Sequence, residues 1–431
     1  MRVTYISFLK AILFLLVLSG FTGSALFSFS IGPVNIFIYR LLFPVMMVLF
    51  GFSFLFNQGK INISHMKVRP YLQFLGFWLM YASITLIWAE SKSDAILEIL
   101  FLYMITVIIW FIVYFFHTIK DLNRFYYLWL TITVVINLIG FWELLTGQHL
   151  AISKSNEMFL DHKMPTAFFR NPNDFATVIT LSLPFVITFI RYSKKFVFVL
   201  FGFAILASSM FLVISTGSRA NLLAIIIGLV FWYIFLLPSK KKATVLLSCI
   251  VVIGFFSIVF SSQLSVSISS IAKELGTINL ENFETSGTSL NIRINLIKNA
   301  LSLMAGSFGF GLGAGNFEHQ MSLYANEFTA GIVNAHNWWF EILANYGLGV
   351  FVGYMVFYIS LIRKLLLAYK NLVMAQDKRI CEALLIGLIS FSIASTSSSS
   401  IMTLRPQWFF FAFALAFLNY YRGCLKRGEH N

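Results

Sequence analysis

The chain is 431 residues long, 59% apolar and only 11% charged, with a mean hydropathy of +0.83. A soluble domain carries about 25% charged residues, so these values exclude an ordinary soluble protein and a disordered chain. The net charge of +14 would suit a nucleic-acid binder, but the Lys and Arg residues lie in short stretches between apolar runs, the positive-inside pattern of a bilayer protein.

A hydrocarbon core needs about 20 apolar residues per helix. On that scale the chain reads as an all-α polytopic membrane protein of about 12 transmembrane helices. The spans fall at roughly 8–28, 33–56, 71–89, 95–116, 125–145, 173–191, 196–215, 219–237, 243–261, 336–362, 380–400 and 406–421. Arg2 and Lys10 followed by an apolar run resemble a signal peptide. No small-x-small site precedes Pro33, so the run is expected to stay as the first helix. Placing the N-terminus inside puts most of the 31 Lys and Arg on inward segments and makes both termini cytoplasmic. Three parts follow: residues 1–261 with the first nine helices, an extracytoplasmic loop at 262–335, and residues 336–431 with the last three. Cys249 and Cys381 lie in apolar runs and Cys424 in the basic tail, so no disulfide is expected.

Two outward loops stand out, from Thr146 to Pro172 and from Ser262 to Ala335. Long loops in compact proteins usually carry function. Within the second, Asn291 to Met304 reads as an amphipathic helix. Ile292, Leu296, Ile297, Ala300, Leu301 and Met304 share its apolar side, and Asn291, Asn295, Lys298, Asn299 and Ser302 lie elsewhere. Gly306 to Gly315 contains five Gly and predicts a close-packed turn. It lacks the Gly-Lys-Ser/Thr ending of a nucleotide loop.

His336 lies where the long loop enters the tenth span, beside Trp338 and Trp339 at the expected interface. A histidine there either caps a helix or takes a proton from a hydroxyl. Asn337, Glu341 and Asn345 recur every four residues on one helical face, a polar stripe that suits a wet cavity. Arg40, Arg170, Arg219, Arg293 and Arg405 are all expected near the outer boundary. There a guanidinium either snorkels to lipid or forks onto phosphate oxygens. Asn171-Pro172-Asn173-Asp174 opens the sixth span as a helix start or as a polar wall. His149, His162, His319 and His336 have no ligand-like spacing, so neither a metal nor a cofactor is expected.

Taken in order, Phe169-Arg170-Asn171-Pro172-Asn173-Asp174, Thr216-Gly217-Ser218-Arg219, Arg293, Gly309 to Phe317, His336-Asn337, Glu341 and Gly347-Leu348-Gly349 resemble the O-antigen ligase and polysaccharide polymerase family of bacterial envelopes. The resemblance implies a metal-independent, inverting glycosyltransferase in the cytoplasmic membrane. Its donor would be a glycan on undecaprenyl diphosphate and its acceptor a sugar hydroxyl on the outer face. Other polysaccharide export or chain-length proteins would be its partners, and nucleic acid would not. It casts His336 as general base and Arg219 and Arg293 as holders of the donor diphosphate. Arg170, Asn173, Asp174, Asn337 and Glu341 become substrate-binding candidates. Trp338-Trp339 departs from the smaller residue and Tyr-Leu of many relatives. A polymerase of teichuronic acid, capsule or O-antigen type, a ligase of the finished chain and a flippase of lipid-linked glycan all remain open. A flippase would carry ionisable residues at midspan, where only Glu98 and Glu143 come close.

Overall fold

Long apolar runs bounded by polar caps become helices in the computed structural model. It describes residues 2–31, 34–56, 63–153, 164–240, 289–399 and 402–427, with residues 242, 243, 247 and 254 besides. The helices are α1 (Arg2–Thr22), α2 (Ile38–Phe56), α3 (Arg69–Ile84), α4 (Lys92–Phe115), α5 (Ile119–Thr146), α6 (Pro172–Tyr192), α7 (Phe196–Ser215), α8 (Arg219–Phe231), α9 (Ser289–Gly306), α10 (Phe317–Tyr324), α11 (Trp338–Asn371), α12 (Ala375–Ala394) and α13 (Arg405–Arg427). Among the described residues the protein is thus all-α but for one small hairpin of β1 (Ser28–Ile31) and β2 (Val34–Phe37), paired Ser28 to Phe37 through Ile31 to Val34.

Among the described residues nine helical segments are long and apolar enough to cross a membrane: α1, α2, α3 continued to Ile87, α4 to α7, α8 continued to Leu236, and α11. The ninth expected span, 243–261, lies outside the described residues but for 243, 247 and 254, and so do loop residues 262–288. Helices α12 and α13 occupy two of the remaining expected spans. Helix α13 is deeply enclosed: every side chain from Trp408 to Leu418 is at most 3% exposed. A helix apolar all round is one that other helices cover. Helix α13 packs on α4, and α12 packs on α6 and α8. The outer helices turn large side chains such as Leu55, Phe196 and Val356 outward, as a lipid-facing surface requires.

Several boundaries differ from those expected, each for a local reason. The first span ends at Thr22, short of the expected 28, because Ser28-Phe29-Ser30-Ile31 alternates with period two and pairs as a strand. Thr118 starts α5 early by capping it, its hydroxyl accepting from the Asp121 N–H at 3.3 Å. Helix α12 stops at Ala394 instead of running to 400, because a series of hydroxyl residues begins there.

The long loop holds an α-helix where expected, but its buried side is not the apolar one alone. Asn291, Asn295 and Asn299, four residues apart, are all at most 5% exposed, whereas Leu301 is exposed. Asn295 Nδ2 donates to the Phe328 carbonyl at 2.9 Å. Asn299 Oδ1 accepts from the Asn326 and Glu327 N–H groups at 2.9 and 3.0 Å. This asparagine stripe hydrogen-bonds the returning strand of loop, which an apolar face could not do.

The glycine turn is close-packed, as expected, and its partner is a break in α11 at Gly347 (φ 73°). The turn supplies the hydrogen bonds the break removes. Leu312 and Gly313 donate to the Ala344 and Asn345 carbonyls at 2.8 and 3.0 Å, and Leu348 donates to the Gly309 carbonyl at 2.9 Å. A Cβ on Gly311 would lie 2.5 Å from the Gly347 nitrogen, so the two backbones meet only because neither carries a side chain there.

Candidate functional site at a serine turn

Ser395-Thr396-Ser397-Ser398-Ser399 follows α12. Hydroxyls compete with the helical ladder for backbone partners, so such a run ends a helix. Thr396 Oγ1 donates to the Ile393 carbonyl at 2.8 Å, and the Ser397 N–H reaches the Ala394 carbonyl at 3.1 Å. Ser395, Ser397 and Ser398 are at most 1% exposed, so their polar atoms need partners inside the protein. The beginnings of four helices provide them.

Helix α6 is the first. Asn171 caps it, accepting from the Asp174 N–H at 2.9 Å, and Pro172 presets its first turn. Ser397 Oγ donates to Asn173 Oδ1 at 2.9 Å. The Asp174 carboxylate accepts from the Ser398 hydroxyl, from the Ser399 N–H and hydroxyl, both at 3.2 Å, and from Asn171 Nδ2 at 2.8 Å. Helix α8 is the second. Ser218, the residue before Arg219, shares a 2.9 Å hydroxyl contact with Ser397. Asn221, one turn on, donates to Ser218 Oγ at 3.0 Å and accepts from Thr180 of α6 at 3.0 Å.

Helix α9 is the third: Arg293 Nη1 lies 3.4 Å from the Thr396 carbonyl. Helix α11 is the fourth. The Trp338 N–H donates to the Ser395 carbonyl at 3.0 Å, and Trp339 Nε1 reaches the Ser392 carbonyl at 3.1 Å. Asn337 caps this helix, accepting from the Trp339 N–H at 3.2 Å. The half-buried His336 just before it has φ 45°, a left-handed conformation that costs a β-carbon-bearing residue about 1–3 kcal/mol.

The segments bearing the three residues expected to do chemistry thus meet at one turn. Arg293 touches it, Arg219 follows a serine that touches it, and His336 lies two residues before a backbone N–H bound to it. Arg219 is exposed and Arg293 half-buried. Asn173 and Asp174 hold the turn through their own side chains. Glu341 is half-buried one turn inside α11. Asn345, farther along the same face, accepts from the Phe317 N–H at 2.9 Å and so fixes α10. Arg170 is exposed and lines a separate cavity of about 230 Å³ with Asp174, Arg40 and Arg405.

The loop is anchored over this end through Glu90, which accepts from Gln320 Nε2 at 2.5 Å and from the Tyr324 hydroxyl at 3.1 Å. That carboxylate raises the Tyr324 phenol above its ordinary range. The connection between α5 and α6 is anchored by Glu143, wholly buried, whose carboxylate accepts from the Thr166 and Ala167 N–H groups at 2.6 and 2.7 Å and lies 3.2 Å from His149 Nδ1. Among the described residues no group of three His, Cys, Asp or Glu side chains is placed to hold a metal ion.

The serine turn is the part that sequence reading missed. Its signal was present: six consecutive Ser and Thr, 395–400, at the end of a run otherwise suited to a span.

Residues 201–358 match the O-antigen ligase family, and that stretch contains Arg219, Arg293 and His336. The chain belongs to this family, as a multi-pass membrane protein of surface polysaccharide biosynthesis of the ligase and polymerase type. It is 33% identical over 416 residues to the teichuronic acid biosynthesis protein TuaE of Bacillus subtilis (strain 168), an alignment covering 96% of this chain and 84% of that protein.

Proposed function

We propose that the protein is an inverting glycosyltransferase that extends a teichuronic-acid-type polysaccharide. It transfers glycan from an undecaprenyl diphosphate carrier to an acceptor sugar hydroxyl at the outer face of the cytoplasmic membrane. The observation that carries this reading is the serine turn, on which the segments bearing Arg219, Arg293 and His336 converge. The similarity to TuaE supports an acidic polysaccharide as product.

In this reading the acceptor hydroxyl gives its proton to the His336 imidazole as its oxygen attacks the anomeric carbon. The bond from that carbon to the carrier diphosphate breaks, and its electron pair goes to the departing oxygen. Arg219 and Arg293 stabilise the charge that collects there, so the step runs without a metal. Attack opposite the leaving group inverts the anomeric centre. Asn337 and Glu341 bind sugar hydroxyls beside the base, and the loop orients both glycans. Both termini lie in the cytoplasm, and partners would include chain-length and export proteins.

Purified protein supplied only with lipid-linked donor and acceptor tests this reading. Wild type is expected to lengthen the glycan, and His336→Ala to lose about 100- to 10,000-fold in rate. Transfer by His336→Ala at the wild-type rate would overturn the base. Unchanged turnover by Arg219→Lys, which keeps charge but loses the fork, would overturn the bidentate role. A protein that moves lipid-linked glycan across vesicles but never lengthens it would be a flippase.

A second reading, ligation of a finished chain to a different anchor, is favoured by the match of residues 201–358 to the O-antigen ligase family. The polysaccharide of a deletion strain separates the two. Single repeats left on the carrier mean a polymerase, and full-length unattached chains mean a ligase.

A further inference from the structure

The second cavity brings together three cations from distant parts of the chain. Arg40 lies in the first turn of α2, Arg170 just before α6, and Arg405 at the start of α13. Two of them clasp one ring. The guanidinium carbons of Arg40 and Arg405 lie 5.1 and 4.6 Å from the centroid of Phe37, and Arg405 lies 5.1 Å from that of Tyr39. Among the described residues none of the three arginines forms an ion pair. The one carboxylate on the wall, Asp174, already accepts from Ser398, Ser399 and Asn171. Stacking engages the guanidinium faces of Arg40 and Arg405, and although Arg40 Nη1 donates to the Asn35 carbonyl at 2.5 Å, each fork keeps further N–H groups that can bind oxygen. Three cations against one carboxylate leave the small cavity with an excess of positive charge, which favours entry of an anion.

We propose that the Arg40, Arg170 and Arg405 cavity is a second oxyanion site, and that it takes a carboxylate of the glycan itself. Neither Arg219, Arg293 nor His336 lines it, so it is not the space in which the carrier diphosphate is placed above. Asp174 connects the two, since it forms part of the cavity wall and is bonded to the serine turn. A volume of about 230 Å³ is below that of a drug-sized pocket and suits one sugar ring bearing its acid group. The carboxylate is the group a planar fork matches best. Occupation would set the register of an acidic chain against the turn, admitting a glycan with a uronate at one position and leaving a neutral one unanchored. This assignment rests on the acidic product proposed above, but binding reads it without turnover.

The test uses the full-length protein in nanodiscs of zwitterionic lipid. Three probes are titrated separately: methyl glucuronide, methyl glucoside and inorganic diphosphate. The glucuronide is expected to bind and the neutral glucoside not to bind. Arg405→Gln and Arg40→Gln should each weaken the glucuronide about tenfold or more, and Arg219→Gln should leave it unchanged while weakening diphosphate. Arg170→Gln, an exposed loop change, carries the same expectation if the variants of the half-buried Arg40 and Arg405 do not fold. Glucuronide binding that survives all three cavity substitutions overturns the site. Loss of diphosphate instead of glucuronide from the cavity variants overturns the carboxylate assignment and makes the site one for a lipid phosphate. A protein that binds the glucuronide as expected but transfers no glycan leaves the site standing and removes the transferase reading.

Discussion

The two ends of the bundle solve the same problem in opposite ways. At the end away from the serine turn, the carboxylate of Glu382 on α12 is wholly buried. It accepts from Arg191 of α6, from Trp232 after α8, and from the Tyr192 and Tyr369 hydroxyls at 2.9 and 3.1 Å. Its charge is matched by one guanidinium and its lone pairs by neighbouring donors. At the serine end, α6, α8 and α12 meet again, but the contacts between them are mostly neutral hydroxyls and amides. The cations at that end, Arg40, Arg170 and Arg405, are left without carboxylate partners among the described residues. A closed ion cluster fixes helices. An end held by hydroxyls keeps its guanidinium groups available for a ligand.

The largest expected effect breaks the closed end. Glu382→Ala leaves the Arg191 guanidinium with only 12% of its side chain exposed and no anion. Removing one partner of a buried pair costs about 3–5 kcal/mol. Thermal unfolding in detergent should show a large fall in Tm, while the rate per folded molecule falls far less than in His336→Ala. A Tm unchanged by Glu382→Ala would remove the contrast between the ends.

Next is the junction of the glycine turn with α11. Gly311→Ala places a Cβ 2.5 Å from backbone nitrogen at a φ of +85°. The conformation alone costs about 1–3 kcal/mol. Proteolysis of the loop should begin at lower temperature than global unfolding, because the change frees the turn from α11 without touching the bundle.

A smaller effect is expected in the turn itself. Ser398→Ala deletes a donor to the buried Asp174 carboxylate, at a cost of about 1–3 kcal/mol. Transfer rate should fall along with Tm, whereas Glu382→Ala mainly lowers Tm. Ser398→Thr keeps the donor and should restore part of both.

Much of this was legible in the sequence. Apolar runs near 20 residues become helices wherever the chain is described, because a bilayer demands internal backbone pairing and length sets the match. The caps at Thr118, Asn171 and Asn337 follow from residue type. Arg293 and His336 were visible as polar residues within and at the end of a long loop, and Arg219 as one after a short polar turn between two apolar helices. What joins them was not, because Ser397 is 224 residues from its partner Asn173 and 179 from Ser218. Serines near the end of an apolar run read as a span end, and periodicity cannot say which distant helix a hydroxyl will meet. The asparagine stripe of α9 misled for a related reason. A face of Asn291, Asn295 and Asn299 reads as solvent-facing unless the loop backbone it binds is known.

The smallest prediction compares two helix caps that differ only in which end they serve. Thr118 caps α5 at the closed end, and its hydroxyl also donates to Asp121 at 2.7 Å, which in turn pairs with Lys10 at 2.6 Å. Asn171 caps α6 at the serine end, and its amide also donates to Ser399 at 2.8 Å. Losing a cap costs about 0.5–2 kcal/mol in either place, so Thr118→Ala and Asn171→Ala should lower Tm by similar amounts. Their effect on transfer should differ. Asn171→Ala loosens Ser399 and the Asp174 carboxylate together, and its rate should fall several-fold beyond what the folded fraction explains. Thr118→Ala touches no element of the turn, and its rate per folded molecule should stay at the wild-type value. Equal rates in the two variants would mean that the turn is a rivet like the Glu382 cluster rather than the support of a reacting site.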